Sequence, residues 1–196
     1  MTTLQNHPDI EAVAPAEKVD AAIADALLPH EGGLAVRALG AVSDLSDQEP
    51  LYAAAAGVLA TALVMRDGPT WRTGTRILAT HLLATALRGV VKTMVDRTRP
   101  EAAARRGKYV LREGRRRDSD FNSFPSGHTA GAVAVALAVG RDNAAAKMPA
   151  CGLAALAGAA QIIRSRHYLT DVAAGALIGI AADQMIDALI VEAQKR

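Results

Sequence analysis

Cysteine is almost missing from this chain: Cys151 is the single one in 196 residues, which excludes an internal disulfide. Its neighbours are Ala, Gly and Leu, a setting for helix packing rather than for a reactive thiol. Aromatic residues are scarce, at 3% against 51% hydrophobic overall. A β-sandwich would want more Tyr, Phe, Trp and Thr; a core of Ala, Leu, Val and Ile favours closely packed helices. There is no basic start followed by an apolar run, so no cleaved signal peptide is expected. A charge-free run of about 20 apolar residues, the length of a bilayer span, is also missing. Nor is there a strong excess of one charge. The net value is +2, although basic residues crowd between Lys92 and Arg117.

What is present is a succession of shorter apolar stretches: Leu51–Met65, Ile77–Val95, Thr129–Gly140, Met148–Ile163 and Val172–Val191. The second and fifth approach spanning length, and both carry charges. A compact soluble bundle and a thin polytopic membrane domain compete here. So much apolar sequence with so little amphipathic cover favours the membrane. The expected fold is all-α, a bundle of about five membrane-embedded helices over residues 51–196. Residues 1–50 form a polar to amphipathic lead-in, with Val19, Ile23, Ala26 and Leu27 at helical spacing. Gly175-Ala-Leu-Ile-Gly179 would let two helices approach closely. Asp183 and Asp187 lie deep in the last stretch, where a carboxylate is expensive. At about 1.5 Å rise per residue, His81 and Arg76 reach matching depths on the second stretch, so they are the expected partners.

If each stretch crosses once, the basic loop 96–125 and the turn 164–171 fall at one end of the bundle. Three groups of residues meet there. Phe124-Pro125-Ser126-Gly127-His128-Thr129 places a turn and an imidazole at a helix start, where backbone N–H groups attract anions. Lys92 and Arg99, seven residues apart, are expected on one helical face, with Arg88 a turn earlier and Pro100 ending the helix. Such cations suit a multiply charged anion, though a snorkelling stop at lipid headgroups has the same look. His167 and Asp171 are spaced i, i+4, so the carboxylate can accept one imidazole N–H and orient the ring. A helix-entry Asp beside an incidental His is the plainer reading. A metal held by His128, His167 and Asp171 is disfavoured, because the surrounding Lys and Arg repel a cation.

Lys92-Thr-Met-Val-Asp-Arg-Thr-Arg99-Pro100 resembles the first signature of the type 2 phosphatidic acid phosphatase (PAP2) superfamily. Pro125-Ser126-Gly127-His128 is similar to the second, and His167-Tyr-Leu-Thr-Asp171 to the end of the third. The resemblance implies metal-independent hydrolysis of a lipid phosphate or diphosphate, without a cofactor. His167 would be the nucleophile, oriented by Asp171, and His128 would protonate the leaving oxygen. Lys92, Arg99, Ser126 and Gly127 would hold the phosphoryl oxygens. One position departs from the pattern. The third signature has Ser-Arg, then five residues, then His, where this chain has Ala160 and Gln161. Arg164 is the expected substitute cation, with Arg166 second.

The implied partners are a membrane and a phospholipid or polyprenyl phosphate, with an isoprenoid, glycerolipid or lipid A tail. The implied location is a bacterial-type inner membrane. Relatives that act on lipid carriers put the site on the outer face, whereas the positive-inside count puts the basic end inward. Phosphotransfer to another acceptor, and lipid binding without hydrolysis, are the alternatives. Nucleic acid is not an expected partner: Arg105-Arg106 and Arg115-Arg116-Arg117 have too few aromatics nearby and sit in no binding motif.

Overall fold

Gly and Pro punctuate the chain into helices. In the computed structural model, which describes residues 15–30, 33–114 and 118–195, Asp67 precedes Gly68-Pro69 and Ser126 precedes Gly127, and each pair opens a helix. The order is α1 (Pro15–Leu27), α2 (Leu34–Asp44), α3 (Gln48–Met65), α4 (Gly68–Lys92), β1 (Val95–Arg97), α5 (Pro100–Arg106), β2 (Leu111–Glu113), α6 (Gly127–Asp142), α7 (Ala144–Ile163) and α8 (Leu169–Gln194). Residues 1–14 and the run Arg115-Arg116-Arg117 lie outside the described residues. The five apolar stretches are therefore α3, α4, α6, α7 and α8, each extended by a few polar residues.

Helix α6 is the centre of the bundle, packed against α4, α7 and α8. Its inward residues are small: Ala130, Gly131, Ala132, Ala134, Ala136 and Ala138 are all buried. Helix α8 crosses it through Gly175 and Gly179. A Cβ on Gly175 would stand 2.5 Å from the Ser126 carbonyl, and one on Gly179 would stand 2.7 Å from the Ala130 carbonyl. Gly175→Ala should therefore overpack the contact, costing about 1–3 kcal/mol. A lowered unfolding temperature in detergent checks this.

The large apolar side chains point outward instead. Leu63, Val64, Met65, Leu82, Val90, Leu153, Leu156, Leu177 and Leu189 are exposed around the bundle. Among the described residues two helices, α7 and α8, are long and apolar enough to cross a membrane. The deep aspartates are paired at the end opposite the motifs. Arg76 binds Asp187 at 2.8 Å, as the matching depths require. Asp183, however, is held by Arg141 at 2.8 Å rather than by His81. His81 instead packs edge-on to Tyr52 with its ring centroid 4.5 Å away.

At the basic end β1 and β2 form an antiparallel ribbon pairing Val95 with Glu113 and Arg97 with Leu111. The helical reading of the first motif needs correction there. Helix α4 ends at Lys92, so Arg99 is not on its face. Pro100 opens α5 rather than ending α4, because a missing N–H costs nothing at a helix start. The residue before a proline is pushed to extended backbone, as Arg99 is, with ψ 149°. The amphipathic face of α1 also differs. Asp20, Ala21 and Ala24 are buried against the bundle end, while Val19 is 54% exposed. Ala21 and Ala24 pack with Ala103, Tyr109 and Tyr168, and Asp20 is drawn in by a buried cation described next.

Candidate active site

Asp171 sits in the first turn of α8 with no exposed side-chain surface, and every contact it makes is directed. One carboxylate oxygen accepts from Arg97 at 2.6 Å. The other accepts from the Ser123 hydroxyl at 2.5 Å and the Tyr168 backbone N–H at 2.8 Å. Arg97 is itself fully engaged. It donates to Asp20 at 2.7 Å, Thr170 at 2.7 Å and the Tyr109 hydroxyl at 3.1 Å, and stacks 4.1 Å from the Tyr168 ring centroid. Two buried carboxylates on one guanidinium raise its affinity for its proton well above the ordinary arginine value, against the opposing effect of burial. Thus α1, β1 and α8 are tied at a single point. Neither Arg97 nor Asp20 stood out in the sequence, since Arg97 is one of many cations there.

His167 lies in the turn before α8 and is buried. Its Nδ1 is 2.7 Å from the Ser123 carbonyl, while the Asp171 carboxylate is 3.7 Å away. The expected direct hydrogen bond to Asp171 is thus replaced by one to a backbone carbonyl, because Arg97, Ser123 and Tyr168 occupy the carboxylate. A carbonyl only accepts, so Nδ1 carries the proton and Nε2 keeps its lone pair. Burial lowers the pKa of His167, opposed by the nearby Asp171 charge. The unfolded chain therefore takes up a proton that the folded chain resists. Stability is complete above the unfolded value of about 6.5 and declines as pH falls below it. Unfolding temperature should drop more steeply from pH 6.5 to 5 in the parent than in a His167→Asn variant.

Ser126 caps α6. Its buried hydroxyl accepts from the Thr129 hydroxyl at 3.0 Å and lies 3.5 Å from the Thr129 N–H, leaving its own proton to donate. The Ser126 N–H donates to the Asp171 carbonyl at 3.0 Å, which joins the second and third motifs directly. Gly127 follows with an N–H that the helix leaves unpaired. His128 is next, and it and His167 act on one another electrostatically. The Nε2 of His128 is 2.9 Å from a carboxylate oxygen of Asp47, an ion-pair contact without hydrogen-bond alignment. Asp47 precedes α3 and carried no sequence signal of this role.

The cations divide into two groups. Arg88, Lys92 and Arg99 act on one another electrostatically, and Lys92 and Arg99 also feel Asp171. The Nε atoms of Arg88 and Arg99 are buried without a hydrogen-bond partner. The other group is occupied. Arg164 binds Asp44 at 2.6 Å and the Gly40 carbonyl at 3.3 Å, and Arg166 binds Glu101 at 2.8 Å. Gln161 donates to the Ser43 hydroxyl at 2.7 Å and is buried against α2. Asp44, Asp47 and His128 also bring potential metal-ligating atoms within 4.8 Å of one another. Arg164 competes with any cation for Asp44.

The family model of the PAP2 superfamily matches residues 73–190, from α4 through most of α8 and across all three motifs. The chain belongs to the PAP2 superfamily. No curated protein matches this PAP2 chain in sequence. Solved structures do. A transmembrane PAP2-type phosphatidylglycerolphosphate phosphatase from Bacillus subtilis superposes with a TM-score of 0.69 at 18% identity, covering 92% of this chain and 89% of that one. LpxE from Aquifex aeolicus gives 0.63 at 21% identity, covering 90% and 97%. At these identities the likeness concerns the fold. The α6-centred bundle shares that fold.

Proposed function

We propose that this PAP2 protein is a membrane lipid phosphatase that works through a phosphohistidine, without metal. The observation carrying the reading is the His167 Nδ1–H to Ser123 carbonyl bond, which leaves a neutral Nε2 lone pair at the end of the bundle where the Nε atoms of Arg88 and Arg99 are buried without a partner. In the first step Nε2 attacks phosphorus, and the phosphorus–oxygen bond to the lipid alkoxide breaks. His128 supplies the proton that the alkoxide takes, with Asp47 as counter-ion to its imidazolium. Neutral His128 then takes a proton from water, whose oxygen attacks phosphorus and breaks the phosphorus–nitrogen bond. Lys92, Arg99, the Ser126 hydroxyl and the Gly127 N–H hold the oxygens as charge develops.

The lipid part of the reading has its own support. An apolar cavity of about 230 Å³ is lined by Leu45, Leu51, Ala132, Val135, Val139 and Leu153. Leu45 is two residues from Asp47, and Ala132 is one helical turn beyond His128, so a tail there would bring its headgroup to the imidazoles. The two similar solved structures, a phosphatidylglycerolphosphate phosphatase and LpxE, fit a lipid-borne phosphate as substrate, and a glycerolipid, isoprenoid or lipid A tail would each present one. The outward Leu, Val and Met side chains fit a bilayer around the bundle. Detergent-solubilised protein given a short-chain phosphatidic acid should release phosphate at an unchanged rate with a chelator present. No release from any lipid phosphate would overturn the phosphatase, and loss on chelation would overturn the metal-free mechanism and point to Asp44, Asp47 and His128.

A further inference from the structure

The cation missing at Gln161 leaves the phosphate cradle one guanidinium short of its pattern, and the two sequence candidates are both engaged elsewhere. Arg164 is bound to Asp44 and Arg166 to Glu101. Arg88 is differently placed. Its guanidinium lies against the backbone of Gly127, so closely that a Cβ there would meet the guanidinium carbon at 2.6 Å and a terminal nitrogen at 2.7 Å. That contact puts it beside the first turn of α6, where the backbone N–H groups point at an anion. It lies within electrostatic reach of Lys92 and Arg99, so three like charges converge. Its Nε is buried without a partner, and so is that of Arg99. A buried Nε–H without a hydrogen-bond partner is costly, and a bound oxyanion that accepts from it removes that cost in both arginines. Arg88 also feels Asp47, the carboxylate on His128, so it borders the site on the proton-donor side.

We infer that Arg88 is a further phosphate-binding residue of this PAP2 site and takes over the role left open at Gln161. The inference rests on the phosphatase reading for its chemistry, but its test reads binding, so the two can fail separately. The glycine at 127 then has a reason: only a residue without a side chain leaves the guanidinium its seat.

The experiment measures inorganic phosphate binding to the full-length, detergent-solubilised chain by calorimetry. Arg88→Ala should weaken binding at least tenfold, and Arg88→Lys should weaken it less, since an ammonium keeps the charge but loses the fork. Gly127→Ala should also weaken binding, by displacing the guanidinium. Introducing Gln161→Arg into Arg88→Ala should recover a large part of the loss, which repair of a merely structural defect would not do. Arg72→Ala, at the other end of the bundle, controls for net charge and should bind within twofold of the parent. The inference is overturned if Arg88→Ala binds phosphate as the parent does. It is overturned equally if the folded parent binds none, or if Arg164→Ala shows the tenfold loss instead. Phosphate binding that depends on Arg88 in a chain that hydrolyses nothing would leave this inference standing and remove the phosphatase.

Discussion

His167→Ala should abolish phosphate release from a lipid phosphate, with a loss on the order of 10⁴–10⁶-fold, the scale on which removing a covalent nucleophile acts. No neighbour can replace it. His128 is committed to the proton, and its Nε2 faces Asp47. The fold should survive, because the ring makes one hydrogen bond, to the Ser123 carbonyl, and Asp171 keeps its contacts to Arg97, Ser123 and Tyr168. The variant should therefore still bind inorganic vanadate. That separates a lost nucleophile from a lost site. The parent, quenched in base during turnover of labelled substrate, should carry protein-bound phosphate that the variant lacks. Equal turnover by parent and variant would rule out His167 as nucleophile. Binding in both with turnover in neither would favour the non-hydrolytic alternative.

The meeting of the three motifs was legible in the sequence because helices of known rise connect them. Two crossings, out along α6 and back along α7, must bring 164–171 back to the end where Ser126 and Lys92 lie, and the 3.0 Å bond from Ser126 N–H to the Asp171 carbonyl is the result. The same arithmetic paired Arg76 with Asp187. It failed for Asp183, because depth does not specify azimuth and Arg141 reached it from the end of α6. It failed for Arg99, because a count of seven residues assumes a helix that stops at Lys92. Apolar spacing misplaced the face of α1 for another reason. Asp20 bound to a buried guanidinium outweighs one buried valine, so Val19 faces out. Ser123 could not have been found, since its carbonyl carries no side-chain signature. Asp47 is a carboxylate before a helix, the ordinary pattern of a cap, and its contact with His128 spans 81 residues of chain.

The largest effect on stability should come from Arg97. Its side chain is 3% exposed, and it neutralises Asp20 at 1% and Asp171 at 0%. Removing it in Arg97→Met leaves two buried carboxylates without their shared counter-charge. Breaking a buried pair by deleting one partner costs about 3–5 kcal/mol, and here two partners are orphaned. Arg97→Lys should be milder in charge but still damaging, because one ammonium cannot serve Asp20, Asp171, Thr170 and Tyr109 together. Unfolding temperature in detergent should rank the parent above Arg97→Lys and Arg97→Met lowest. Adding Asp20→Asn to Arg97→Met should return part of the loss, since it removes one of the orphaned charges. Turnover carries the second readout. Freed from Arg97, Asp171 can rotate toward His167 and compete with the Ser123 carbonyl for its Nδ1 proton, so kcat should fall in Arg97→Lys while KM changes little. A variant as stable and as active as the parent would show that the guanidinium is not what holds α1, β1 and α8 together.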